Sequence, residues 1–179
     1  MSGAVAYVMG PSGAGKDTLL SYARQRLAGS AVVFAHRYIT RQPSPDENFV
    51  SLSEAEFAAR AERGLFAWHW QAHETRYGIG VEIEAWRAKG CTVVVSGSRD
   101  HYAHALADDE SVTPVLVTAS PAIIGDRLRR RGRDSEAQIE ERLSRAALFE
   151  LAHARLRIVR NDGPVEDGGE ALVAILRNL

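Results

Sequence analysis

Gly10-Pro11-Ser12-Gly13-Ala14-Gly15-Lys16-Asp17-Thr18 lies between the apolar run Ala4-Val5-Ala6-Tyr7-Val8-Met9 and a segment in which Leu19, Leu20, Ala23 and Leu27 share one helical face. The apolar run reads as a buried strand, so strand, loop and helix follow in the order that a phosphate-binding loop requires. Small residues let successive backbone N–H groups converge on one point. The following helix adds the positive end of its dipole, and Lys16 adds a point charge for terminal phosphates. Gly10, Pro11, Ser12, Gly13, Ala14, Gly15, Lys16, Asp17 and Thr18 are therefore the candidate nucleotide-binding residues. Asp17 stands where such loops usually carry a magnesium-ligating hydroxyl, with Thr18 next in line. A carboxylate is also a hard oxygen ligand, so Asp17 and Thr18 are both candidate metal ligands, and Asp17 has the alternative role of favouring the helix N-terminus.

Outward from the loop, the chain alternates strand and helix. Gly29 ends the first helix before the strand Ala31–Ala35. Cys91–Val95, a helix near Asp100 to Leu106, Val115–Val117, a helix opened by Ser120 and Pro121, Leu156–Val159, and a closing helix lined by Leu172, Ile175, Leu176 and Leu179 complete the series. This rhythm predicts an α/β domain of the P-loop NTPase class, a parallel sheet flanked by helices. One domain over residues 1–179 suffices, with a core at 1–36 and 81–179.

Two segments break the rhythm. Residues 37–80 read as an inserted module for a second substrate: Tyr38-Ile39-Thr40-Arg41, a Pro-rich turn, a short strand Phe49–Leu52, a helix capped by Ser53 with Glu56, a stop at Gly64, and the aromatic strand Phe66-Ala67-Trp68-His69-Trp70. Trp68 and Trp70 fall on one side of that strand and read as core. The second segment, Arg127 to Asp134, carries five arginines and precedes the capping box Ser135 with Gln138. Beside a phosphate cradle it reads as an arginine-rich lid, over about residues 129–138, that neutralises transferring phosphoryl charge.

With 45% hydrophobic residues and a net charge of −1, the chain has no excess positive field for nucleic acid. No membrane-length apolar run or leader stands out, which points to the cytoplasm. Its single cysteine, Cys91, reads as a buried strand residue, and His101 and His104, three apart on the helix expected there, read as surface histidines rather than a zinc pair. Nothing in the pattern fixes an oligomeric state.

These motifs resemble the guanylate kinase family over most of the chain: the loop, Tyr38-Ile39-Thr40-Arg41, the capped helix through Phe57, Gly64-Leu65-Phe66, Tyr77-Gly78, Arg127-Leu128 with Arg131-Gly132, Arg142-Leu143 and Asn161-Asp162. The resemblance implies a guanylate-kinase-like kinase using ATP and Mg²⁺. Arg41 and Tyr77 would grip the acceptor phosphate, Lys16, Arg131 and Arg142 would act on the transferring group, and Asn161 would lie near the adenine. Two departures stand out. Guanylate kinases read guanine with a carboxylate after the Gly-x-Phe-Leu segment and another at the end of the strand before the acceptor pocket; here those places hold Trp68 and Ser96. Losing two charge-assisted hydrogen bonds of about 1.5–3 kcal/mol each weakens guanine recognition by roughly two to four orders of magnitude.

Arg37, Arg41, Tyr77, Ser96, Ser98 and Arg99, with His69 and His73 beside them, suit instead an acceptor with more phosphate and no base. The combination His36-Arg37-Tyr38-Ile39-Thr40-Arg41, Gly15-Lys16-Asp17, Trp68-His69-Trp70, Tyr77-Gly78-Ile79-Gly80 and Ser96-Gly97-Ser98-Arg99 resembles the ribose 1,5-bisphosphate phosphokinases of phosphonate catabolism, which implies transfer from ATP to the 1-phosphate of that sugar to give 5-phosphoribosyl 1-diphosphate. A nucleoside monophosphate kinase with altered base reading is the alternative, and a noncatalytic guanylate-kinase-like interaction module a remote one. That last reading predicts a degraded cradle, whereas Gly15, Lys16 and the lid arginines are all present. The strand Val93-Val94-Val95 runs into Ser96 rather than a metal-holding Asp, which leaves Asp17, and less strongly Asp100, to compensate.

Overall fold

The computed structural model describes residues 2–42, 47–72, 74–147 and 154–179. The Pro-rich turn at 43–46 and His73 lie outside them. In chain order the elements begin with β1 (Val5–Met9), α1 (Lys16–Arg26), β2 (Val32–Phe34), β3 (Arg37–Ile39), β4 (Phe49–Ser51), α2 (Glu54–Glu62), β5 (Phe66–Ala72) and β6 (Thr75–Gly80). They continue with α3 (Glu82–Ala88), β7 (Thr92–Ser96), α4 (Arg99–His101) running into a π-helical turn at Tyr102–Leu106, β8 (Val112–Thr118), α5 (Pro121–Arg131), α6 (Glu136–Ala147), β9 (Arg157–Arg160) and α7 (Val165–Arg177).

The described strands form a parallel five-stranded sheet in the order β2-β7-β1-β8-β9 and a separate four-stranded sheet in the order β4-β3-β6-β5. This is the α/β P-loop architecture that the alternation predicts. β1 is central, and its period of two divides the core. Ala6 and Val8 pack with Leu19, Val94, Val115 and Leu172 on the face covered by α1 and α7. Val5, Tyr7 and Met9 pack with Ile79, Ile83, Val95 and Tyr102 on the other. Because chain order reverses beside β1, the C-terminal ends of β1, β7 and β8 open into the crevice where such sheets bind ligands.

Several boundaries differ from the sequence pattern for physical reasons. β8 starts at Val112 and runs through Pro114, a residue that the pattern sets outside the strand. β9 reaches β8 only from Val115 onward, so Pro114 has a strand neighbour on one side only and its missing N–H leaves no gap in the ladder. α3 and β6 follow no strong apolar period and are legible only in the structure. The helix near Asp100–Leu106 exists, but most of it is π-helical. No described helix is long and apolar enough to cross a membrane.

Just past the end of β7, Gly97 donates its N–H to Val8 O at 2.9 Å and lies against the phenol end of Tyr7, where a Cβ would collide with Cζ and Oη. Gly97→Ala must therefore displace the fully buried Tyr7. It is expected to cost about 1–3 kcal/mol, a fall in Tm of roughly 2–10 °C, measurable by thermal denaturation.

Candidate active site

The loop from Gly10 to Gly15 owes its shape to backbone that only glycine tolerates and to side chains that hold its carbonyls from behind. Gly13 and Gly15 have φ of 88° and 84°. Asn161 Nδ2 donates to Ala14 O at 2.8 Å, and Arg127 Nη1 approaches the same carbonyl at 3.3 Å. Arg127 Nη2 closes the brace on Asn161 O at 2.9 Å. With the Ala14 carbonyl turned inward, the trans peptide turns the Gly15 N–H to the opposite side. A cavity of about 320 Å³, lined by Gly10, Pro11, Ser12, Gly13, Gly15, Lys16, Asp17, Thr18, Arg127, Leu128 and Arg131, lies over the loop. The size falls in the range of small-ligand sites.

Lys16 Nζ donates to Asp17 Oδ1 at 2.8 Å and to Ser96 Oγ at 2.6 Å. Burial lowers the Lys16 pKa, Asp17 pulls against that shift, and Arg37 adds to it. Burial alone would raise the Asp17 carboxyl, but Lys16, with Arg37 and Arg41 behind it, holds it below the usual carboxylate range. Asp17 and Thr18 thus offer hard oxygen atoms at the cavity, the donor type that magnesium takes. Asp100 lines a separate hollow with Trp70, Ser98, His101, His104 and Arg145.

The arginine-rich segment is the turn between α5 and α6. Pro121 opens α5, and Gly132, at φ 65°, ends it. The Ser135 and Gln138 capping box starts α6 reciprocally, at 2.8 and 3.3 Å. Between them Asp134, whose side chain is 6% exposed, accepts from Arg131 Nη2 and Arg142 Nη2, both at 3.0 Å. Arg131 Nη2 also reaches Ser12 Oγ at 3.4 Å. One nearly buried carboxylate therefore couples the two guanidiniums at the edge of the cradle.

On the acceptor side, Glu47 Oε2 accepts from Arg37 Nη2 at 2.5 Å and from Arg41 Nη2 at 2.6 Å, and Glu47 Oε1 takes a further bond from Arg41 at 2.7 Å. Arg37 lies over the Tyr77 ring at 6.0 Å. Tyr77 stacks on Trp70 at 5.5 Å and Trp70 on His101 at 4.6 Å. Trp68 meets Tyr7 edge-on at 6.2 Å. His101 Nδ1 lies 2.8 Å from Tyr7 Oη, which also accepts the Ser98 N–H at 3.1 Å.

The structure thus brings Lys16, Asp17, Ser96, Arg37, Arg41 and Tyr77 together, and gathers Ser12, Arg131 and Arg142 at the other rim of the loop. Some residues take different places from those expected. Asn161 is 2% exposed; its Nδ2 braces the loop through Ala14 O, while its buried Oδ1 finds no hydrogen-bond partner among the described residues. The Ser98 hydroxyl caps α4 by accepting the His101 N–H at 3.2 Å. Arg99 is half-buried near Asp100 and Arg145, and burial lowers its pKa. His69 sits against Phe57 and Phe66. His101 is a packed ring and not a surface histidine. Glu47, Asp134 and Tyr7 have roles that emerge only from tertiary placement, and Arg127, part of the arginine-rich segment, turns out to brace the loop.

A family model described as an AAA domain matches residues 7–146. The chain is 50% identical to a ribose 1,5-bisphosphate phosphokinase PhnN of Thiobacillus denitrificans, over 97% of this chain and 93% of that protein. It is 47% identical to the protein of the same name from Burkholderia mallei, over 97% of this chain and 95% of that one. Among solved structures it resembles guanylate kinase from Anaplasma phagocytophilum, with a TM-score of 0.66 at 16% identity, covering 99% of this chain and 86% of that one.

Burial, with His69 nearby, pushes the His101 pKa from 6.5 down to about 4. The folded state therefore favours neutral imidazole. That contribution is complete above the unfolded value of about 6.5 and is lost as pH falls through about 6.5 toward 4. His101→Gln is expected to flatten the dependence of Tm on pH across this window, measured by thermal denaturation of both proteins.

Proposed function

This chain belongs to the ribose 1,5-bisphosphate phosphokinase family, and from that membership we propose that it transfers the γ-phosphoryl group of ATP to the 1-phosphate of ribose 1,5-bisphosphate. The products are 5-phosphoribosyl 1-diphosphate and ADP, and the setting is the cytoplasm. One observation carries the choice of acceptor. At the two places where a guanine would meet carboxylates, Trp68 packs edge-on to Tyr7, and Ser96 is bonded to Lys16. Neither reads a purine, while Arg37, Arg41 and Tyr77 remain grouped for phosphate.

An oxygen of the acceptor's 1-phosphate attacks the γ-phosphorus, the bond to the β–γ bridging oxygen breaks, and its electron pair leaves with ADP. A phosphate monoester has a second pKa near 6 and is already largely dianionic at neutral pH. No general base is required. The protein's work is to align two polyanions and offset their repulsion. The braced loop and Lys16 hold the donor phosphates, and Arg131 and Arg142, coupled through Asp134, meet the charge on the group in transit. Arg37, Arg41, Tyr77 and Ser96 hold the acceptor, and Ser98 and Arg99, at the start of α4 after Ser96, are further candidates to bind it. Magnesium, held by Asp17 or Thr18, would supply further neutralisation of the donor phosphates. Asn161 contributes to nucleotide binding through the loop it fixes.

The direct test offers Mg-ATP with ribose 1,5-bisphosphate, ribose 1-phosphate and GMP separately, with product identification by phosphorus NMR. A diphosphate formed on the bisphosphate alone supports the proposal, and turnover of GMP in preference refutes it. Arg131→Ala is expected to lower kcat by roughly 10²–10³-fold with the KM for ATP nearly unchanged, read by single-turnover kinetics. Asp17→Asn is expected to raise the magnesium concentration for half-maximal rate about tenfold; an unaltered magnesium titration leaves Thr18 as the ligand.

A further inference from the structure

Arg37 and Arg41 are the cations that the proposed acceptor phosphate needs, and a side chain of the protein already occupies both. Building on that assignment, we propose that Glu47 is a specificity-determining residue whose carboxylate stands in for the acceptor's phosphate until a doubly charged group displaces it.

The geometry is that of an internal substitute. Three bonds of 2.5–2.7 Å join Glu47 to the two guanidiniums, and its side chain is 18% exposed. Contacts of the residues that follow it deliver it there: Arg37 N–H donates to Asn48 O at 3.2 Å, Asn48 Nδ2 donates to Ala35 O at 3.3 Å, and the Arg41 guanidinium lies 4.8 Å over the Phe49 ring. The carboxylate also acts beyond its direct partners, since Glu47 opposes the lowering of the Lys16 pKa that Arg37 reinforces.

The substitution is incomplete, and the shortfall matches a phosphate. Glu47 bonds only one nitrogen of each guanidinium, and the buried Arg37 Nε finds no hydrogen-bond partner among the described residues. A phosphate monoester brings three acceptor oxygens and a charge of about −1.5 to −2, against two oxygens and a single charge for the carboxylate. It therefore meets donors that Glu47 leaves unused and adds charge that Glu47 lacks. A competing carboxylate or other monoanion gains neither advantage and is refused. Glu47 in this role sets a threshold for entry, at the expense of affinity for the true acceptor.

The experiment compares wild type with Glu47→Gln and Glu47→Asp. In steady state with ribose 1,5-bisphosphate, Glu47→Gln is expected to lower the acceptor KM about tenfold, with the KM for ATP changed less than about twofold. Inorganic phosphate is expected to compete with the acceptor about tenfold more tightly in that variant. Glu47→Asp, whose shorter arm spans the arginines less well, should fall between the two and serves alone if the Gln variant does not fold. A higher acceptor KM in Glu47→Gln would show that Glu47 aligns the arginines instead of competing for them, and an unchanged one that it does neither. Either result overturns the proposal. Should wild type fail to turn over the bisphosphate, the reading of the acceptor fails by itself. Titration with inorganic phosphate, followed by tryptophan fluorescence of the Trp70 and Tyr77 stack, still decides the role of Glu47, which requires tighter phosphate binding in Glu47→Gln.

Discussion

The carbonyl of Ala14 must point into the protein for the loop before α1 to bind anything. A backbone oxygen facing a phosphate would repel it, and the rotation that removes it also presents the next N–H. Asn161, at the end of β9, and Arg127, on α5, fix that orientation from two elements distant in sequence. Gly15 has no room for a side chain because the Asn161 amide fills the space. The cradle is thus a property of the assembled sheet, since β9, α5 and the loop must all be in place before the carbonyl is held.

The same crevice is limited on its acceptor side by aromatic surface. Tyr77, Trp70 and His101 form a continuous stack, while Tyr7 and Trp68 close the space toward the core. Apolar rings at this place remove the polar partners that a base edge would need, and an unmatched base would lose its hydrogen bonds with water on entering. The nearby charged residues are arranged as alternating signs, with Lys16 against Asp17 and Arg37 and Arg41 against Glu47. Such an array is suited to exchanging one anion for another. An acceptor read mainly by charge and volume, as proposed, needs little directional reading of a ring.

Much of this was legible in the residues because the signals are local. A glycine-rich loop between an apolar strand and an amphipathic helix, capping boxes at Ser53 and Ser135, and Pro121 at a helix start each depend on neighbours within a few positions. The site was less legible where its meaning lies in pairing across the fold. Asn161 occurs in a short polar stretch that is equally compatible with base contact and with bracing, and only burial distinguishes them. Glu47 and Asp134 are single carboxylates in irregular segments, so no periodicity marks them, yet each joins two arginines. Pro114 misled the strand boundary because its tolerance depends on where a neighbour strand begins, which no residue near it encodes.

The outer strands of the parallel sheet have a consequence for how the molecule behaves in a crowded solution. β2 is three residues long, and β9 is four residues long with Arg157 and Arg160 exposed on either side of Ile158 and Val159. Short borders offer few open backbone groups to a foreign strand, and the cationic borders of β9 repel an identical copy of themselves. The parallel sheet can therefore be strongly apolar at its centre while its two borders offer little purchase to a further strand.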